Sequence, residues 1–396
     1  GHNNLNQTAS SKPGPIQRTP MKILLITALL LINGIACAQQ KIPPKWFYAD
    51  HLNWARNKAM MSQGVSVERP LTISDSGRLS EKINVQAKKT LNSGNRLALL
   101  MLDQGELVFE GYASGNQPTN NLLSYSVAKS MVSLAIGEAF CAGHIGQLTD
   151  TAEAYLPWLK DNHYGETRLV DLLHMASGIN ATDGELDGGE PQNGYTTRLF
   201  KQQISIRQML LDYGSKSRGH LKPQNRGTLY EYKNLDTNVL GLVVAAATKE
   251  TLPKWFEKTV LSKAQVTNST FWILDKNNDV ISHAYFSARA SDYARIALYV
   301  MDALAGRHGD CLKDYLTKAT TDSLSKGRGL GERSGHASYG YQFRTDLRDS
   351  PKSAFKMQGF MGQHVFFDPL SGKVLIGFSH AWDEEIQGLF SAWVQD

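Results

Sequence analysis

The sequence predicts an α+β fold, and three patterns point to it. Strand-like runs occur in the first third of the chain and again past Gly340, so one antiparallel sheet would draw on both ends. The stretch between, about 143–325, reads mostly as helical segments broken by Gly, Asn and Pro, a second lobe against that sheet. Residues 126–142 (SVAKSMVSLAIGEAFCA) are rich in helix formers and apolar on most sides, the mark of a buried helix.

In chain order, residues 79–91 have helix-compatible spacing and lead to Gly94. The runs 96–103 and 106–112 are strand-like and are joined by Gln104-Gly105, which predicts a hairpin. An acidic, Gly-rich loop at 180–194 is long enough to border a site rather than fill a core. Further on, 341–345, 356–358, 363–368 and 373–379 read as strands and 384–394 as a closing helix. No internal repeat or long low-complexity stretch follows residue 40.

Of the 396 residues, 41% are hydrophobic and 20% charged, a globular composition with enough chain for a large core. Residues 1–20 lack a starting Met, are rich in Asn, Ser and Pro, and read as leader or appended sequence. Residues 21–38 (MKILLITALLLINGIACA) read as a secretory signal peptide. Lys22 is its positive start, 23–32 its apolar core and Ala36-Cys37-Ala38 its small-residue cleavage site. The apolar run is too short to span a bilayer comfortably. Cleavage near Ala38 would leave 39–396 as a single domain, periplasmic or secreted, with no integral membrane span. Lipid attachment at Cys37 is the alternative, although Gly34-Ile35-Ala36 matches a lipoprotein site poorly.

Removing Lys12, Arg18 and Lys22 takes the net charge from +5 to +2 and leaves no basic stripe, so nucleic acid is not an expected partner. Cys141 and Cys311 would remain. Export permits a disulfide between them, but the sequence does not show that they meet, and two unpaired thiols stay open. There is no CxxC, HExxH or His/Asp/Glu cluster at ligand spacing, no Walker loop and no strand-linked GxGxxG. No metal and no cofactor are therefore expected.

The chemistry-bearing pattern is Ser-x-x-Lys, because residues three apart share a helix face and a serine in the first turn can sit beside the amine. Burial and the positive helix N-terminus both disfavour the ammonium, making the lysine a usable base for the hydroxyl. Three copies exist: Ser126/Lys129, Ser323/Lys326 and Ser353/Lys356. The first alone opens a strongly apolar helix. Ser323 lies in a polar, Gly-bounded stretch, and Ser353 precedes a strand, where i and i+3 face opposite sides. Ser126 could still be a simple helix N-cap. Tyr232-Lys233-Asn234, the one Tyr-x-Asn in the chain, shifts the balance.

Ser126-x-x-Lys129 followed about a hundred residues later by Tyr232-x-Asn234 resembles the class C β-lactamase and penicillin-binding-type serine hydrolases. Residues 143–150 (GHIGQLTD), 155–157 (YLP), 172–178 (LLHMASG), 230–241 (YEYKNLDTNVLG), 286–295 (FSARASDYAR) and 359–363 (GFMGQ) fit the same family in order. The likeness covers roughly 90–395 and implies a serine β-lactamase-like fold. It implies Ser126 as nucleophile, Lys129 as its base partner and Tyr232 as shared base and acid toward the leaving group. It further implies Asn234 orienting Lys129 and the substrate, and an oxyanion hole from the backbone N–H groups of Ser126 and Phe360. His174 is expected to serve structurally, His364 to be an ordinary satisfied side chain, and Lys233 to be a solvated or supporting cation.

The family's Lys-Thr-Gly on the last core strand, whose cation helps hold a substrate carboxylate, is not matched. Met357-Gln358-Gly359 stands in the favoured register and Phe360-Met361-Gly362 in the other, neither with a Lys two residues before the Gly, and Lys356 is one residue off, on the opposite strand face. The relay is thus kept and the carboxylate anchor lost. That favours an esterase or amidase, closest in look to the 6-aminohexanoate-dimer hydrolase and carboxylesterase branch, acting on a small ester or amide. A β-lactamase or D,D-carboxypeptidase is the alternative, and a non-catalytic binding protein on the same scaffold the second. No Gly-x-Ser-x-Gly occurs, so an α/β-hydrolase elbow is absent.

Overall fold

The computed structural model describes residues 59–62, 65–74, 78–179, 198–199, 202–217, 223–326, 335–382 and 385–396. The expected leader, signal peptide, Cys37 and 180–194 loop lie outside these residues.

The chain folds into a large antiparallel sheet with a helical lobe on one face, the α+β arrangement its pattern predicts. Its strands come from both chain ends: β2 (Arg96–Asp103) and β3 (Glu106–Tyr112) from the N-terminal part. From the C-terminal part come β7 (Leu324–Ser325), β8 (His336–Tyr339), β9 (Arg344–Leu347), β10 (Phe355–Gly359), β11 (Gln363–Asp368) and β12 (Lys373–Ser379). The order is β3-β2-β12-β11-β10-β9-β8-β7, so the last strand closes onto the first hairpin. A second sheet joins β1 (Ala59–Ser62), β5 (Thr270–Ile273), β6 (Ser287–Arg289) and β4 (Asn121–Leu123).

Both faces of the large sheet are covered, which is why its central strands read as nearly continuous apolar runs. In β2, Leu100 and Leu102 enter the core shared with the helical lobe, whereas Leu99 and Met101 meet the opposite layer. That layer is α1 (Glu81–Leu91), N-capped by Ser80, together with the closing helix Glu385–Gln395. On the lobe side, α2 (Val127–Cys141) is buried at every position from Val127 to Ala139. An apolar helix without a polar stripe can be stable only when surrounded, and α3 (Asn234–Thr248) supplies one of its walls. Two further helices of the lobe are α4 (Ala290–Leu304) and α5 (Asp310–Thr321); the closing helix is α6.

The expected strand at 341–345 is split. Gln342, at φ 66°, leaves the sheet, and its amide donates to Leu172 O and Leu173 O at 3.1 and 2.8 Å. Thr237 Oγ1 of α3 donates back to Gln342 Oε1 at 2.6 Å, so a residue expected inside a strand serves as a polar tie between sheet and lobe.

Cys141 and Cys311 meet, with Cα atoms 5.7 Å apart, and form a disulfide that joins the end of α2 to the second residue of α5. The loop it closes spans 170 residues. Constraining so long a loop in the unfolded chain should stabilise the fold by about 5 kcal/mol if the effect is wholly one of chain entropy. Urea unfolding of Cys141→Ser/Cys311→Ser is expected to show an unfolding free energy lower by that amount and hence a lower midpoint, and reductant to lower the wild-type midpoint likewise.

Candidate active site

The turn that begins α2 carries the nucleophile candidate. Tyr125 holds φ 45°, a left-handed backbone that a bulky residue adopts only where its surroundings enforce it. Ser126 follows at the N-cap position, but its side chain makes no capping bond to the helix. Its half-buried hydroxyl instead lies 3.0 Å from Lys129 Nζ, one turn on. The helix-cap role is thereby set aside.

Lys129 is 1% exposed and its amine also reaches the carbonyl of His283 at 2.9 Å. That carbonyl is itself fixed. Asn238 Oδ1 accepts from the backbone N–H of Ser282 and of His283 at 3.1 and 3.2 Å, and the Asn238 side chain meets His283 Nδ1. Burial, reinforced by the Lys129 charge, holds the His283 imidazole well below its ordinary pKa, so it stays neutral.

Tyr232 sits two residues before α3. Its ring centroid is 4.6 Å from Lys129 Nζ and 5.5 Å from the Arg344 guanidinium carbon. Burial alone would raise the phenol's pKa. The Lys129 and Arg344 charges outweigh it and bring the net value below the ordinary one, while the phenol oxygen itself makes no hydrogen bond among the described residues. The neighbouring phenol of Tyr339 is pushed well above its usual value, chiefly by burial.

Ser126, Lys129 and Tyr232 are therefore brought together. Asn234 opens α3, half-buried. Phe360 lies in the turn after β10, its ring 45% exposed and edge-on to Tyr125 and Trp382 at 5.7 and 5.5 Å. Just before it, Gly359 abuts the nucleophile turn: a Cβ there would stand 2.3 Å from Ser124 O and 3.1 Å from Ser126 N. Only glycine lets the β10 backbone come so near the start of α2.

The other two Ser-x-x-Lys copies are engaged elsewhere. Ser353 Oγ donates to Asp368, Lys356 Nζ to Gln387 of α6, and Ser323 Oγ accepts from Thr345. Lys356 thus points into the layer behind the sheet, as its one-residue offset demands. His174 is structural, with Nε2 2.7 Å from Asp322 O and its ring against Tyr341. Two expectations are corrected. Lys233 is not solvated but fully buried, its amine 3.1 Å from Glu231. His364 is not a satisfied side chain, since its buried Nδ1 has no partner among the described residues. Burial first, then nearby cations, keeps that imidazole neutral.

Sequence reasoning passed over His283, Asn238 and Arg344. Asn238 had a faint signal, four residues after Asn234 on α3. His283 acts through its backbone and Arg344 through strand pairing, neither of which leaves a motif.

An antiparallel sheet built from both chain ends, faced by a helical lobe with Ser-x-x-Lys at the start of its central helix, is a β-lactamase-like architecture. The Beta-lactamase family model matches residues 95–387, and the chain belongs to that family of hydrolases. It is 23% identical over 292 residues to a β-lactamase of Psychrobacter immobilis, across 72% of this chain and 65% of that protein's length. A structure assigned as a 6-aminohexanoate-dimer hydrolase from Bacillus anthracis superposes with a TM-score of 0.68 at 18% identity, covering 89% of this chain and 95% of that one. EstCE1, a hydrolase with promiscuous acyltransferase activity, superposes with 0.61 at 15% identity over 80% and 98%.

Gly359→Ala forces the Ser124–Ser126 backbone away from β10. The expected loss is about 1–3 kcal/mol in urea unfolding, as for other overpacked sites, with a fold unchanged by circular dichroism.

Proposed function

We propose that the chain is an exported serine hydrolase that cleaves a small ester or amide through an acyl-enzyme, with 39–396 as one catalytic domain. The observation that carries this reading is the 3.0 Å approach of the buried Lys129 amine to the Ser126 hydroxyl, with the Tyr232 phenol beside both.

Ser126 Oγ attacks the carbonyl carbon while its proton passes to the Lys129–Tyr232 pair. The oxyanion that forms is held by the N–H groups of Ser126 and Phe360, which the glycine contact at 359 keeps close together. Collapse breaks the bond to the leaving alcohol or amine, and Tyr232 returns the proton to it. Asn234 orients Lys129 and the substrate carbonyl or amide. Water then attacks the acyl carbon and gives a proton to the same pair, which passes it to Ser126 Oγ as the acyl–oxygen bond breaks, releasing the acid and free Ser126.

Ester or amide cleavage is favoured over β-lactam or peptidoglycan turnover because the strand position of the family's cation is occupied by Met357, and Lys356 is committed to Gln387. The β-lactamase name of the Psychrobacter immobilis relative keeps the second reading in view. Among the described residues no helix is long and apolar enough to cross a membrane.

Ser126→Ala should lower p-nitrophenyl butyrate hydrolysis by about 10³-fold or more with the circular dichroism unchanged. A fluorophosphonate should label wild type and spare the variant. Stoichiometric labelling of Ser126 by a fluorescent penicillin, without ester turnover, would instead establish the second reading.

The pH profile follows from Tyr232. Its proton-accepting form is the phenolate, and its pKa lies below the ordinary 10.0. Activity should therefore be full above an apparent pKa below that value and fall as pH drops through it. Tyr232→Phe should remove this limb.

A further inference from the structure

The loss of the family's strand cation leaves a question that the sequence does not answer: what besides Lys129 acts on Tyr232. The fold supplies a second cation from a different strand. Arg344 opens β9, is 9% exposed, and places its guanidinium carbon 5.5 Å from the Tyr232 ring centroid and 5.9 Å from that of Tyr339. Its Nη1 donates to the carbonyl of Gln358 at 3.0 Å. That bond ties the guanidinium to the end of β10, one residue before the glycine that touches the nucleophile turn. Across the β8–β9 ladder Tyr339 pairs with Arg344, and Tyr339 also meets Tyr232 edge-on at 6.3 Å.

We infer that Arg344 is a positioning residue for the reaction, holding Tyr232 against Ser126 and Lys129 and sustaining it as proton acceptor from the strand beside β10. The inference rests on the proposed role of Tyr232. The groups facing Tyr232 are Lys129 and Ser126 from α2 and its N-terminal turn, Arg344 from β9, Tyr339 from β8, and Tyr230 from its own segment. Asp236 acts on Tyr339, while Lys326 and Lys356 lie near Arg344. A planar guanidinium that stays charged at all working pH values suits the task. It can lie over a ring and hydrogen-bond a carbonyl at once, which a lysine ammonium does less well.

The test compares Arg344→Gln and Arg344→Lys in kcat and KM for p-nitrophenyl butyrate across pH, with Ser126→Ala as control. Arg344→Gln should move the acid limb of kcat to higher pH and slow neutral turnover about tenfold, the equivalent of one pKa unit, with KM little changed. Arg344→Lys should restore part of that loss. An unmoved acid limb in a folded Arg344→Gln protein overturns the inference, as does an effect confined to KM.

If Arg344→Gln does not fold, Arg344→Lys is compared with wild type. Wild type and Tyr232→Phe are also titrated by phenolate absorbance, and a Tyr232 midpoint at or above that of free tyrosine overturns the inference. Turnover surviving Ser126→Ala would sink the serine-hydrolase reading itself, an outcome distinct from failure at Arg344.

Discussion

The arrangement hinges on one buried amine. Lys129 is almost wholly removed from water, and an amine so placed costs several kcal/mol unless its hydrogen bonds are made inside the protein. Among those made are one to the Ser126 hydroxyl and a second to the His283 carbonyl. The second acceptor matters as much as the first. It comes from the segment before β6, far along the chain from α2, and is useful only because Asn238 of α3 clamps the backbone that bears it. A local Ser-x-x-Lys pattern thus becomes a fixed site through three distant pieces of chain.

That requirement propagates outward. The amine can be buried only if α2 is buried, so the helix carries apolar residues all round and needs walls on every side. Sheet, α3 and α5 provide them, and the disulfide fixes the far end of α2 to α5. Polar ties then hold the walls in register. Gln342 spans from the sheet to Leu172, Leu173 and Thr237, and Ser130 Oγ reaches Gln342 O at 2.6 Å. Each such bond satisfies a group that would otherwise be buried unpaired, at a cost of about 1–3 kcal/mol apiece.

Much of this was legible in the sequence because period and composition report burial. The hairpin Arg96–Asp103 and Glu106–Tyr112, and the strands Gln363–Asp368 and Lys373–Ser379, coincide with their apolar runs. The clustering of Ser126, Lys129 and Tyr232 was readable through the family resemblance that their motifs carry. Other features left no periodic trace. Gln342 breaks a strand through long-range hydrogen bonds, and Lys233 is buried with its amine paired to Glu231. His283 contributes a carbonyl, which any residue could supply. The Cys141–Cys311 bond depends on where α5 packs, and spacing says nothing of that.

The displaced cation shows how strand geometry constrains chemistry. On a strand, a charge moved by one residue changes face, so Lys356 cannot stand in for a lysine at position 357 however close it is in sequence. The register gives Arg344, the direct cross-strand partner of Lys356, the same height and the same face as that lysine. Arg344 pairs with Lys356 across β9 and β10, yet its longer fork reaches forward along the strand to the Gln358 carbonyl and over the tyrosine rings. Placed there and buried, the charge serves Tyr232 rather than a group in open solution. A site so built keeps electrostatic support for its proposed base while giving up the exposed anchor for a carboxylate. This is the combination expected when the substrate is an uncharged ester or amide.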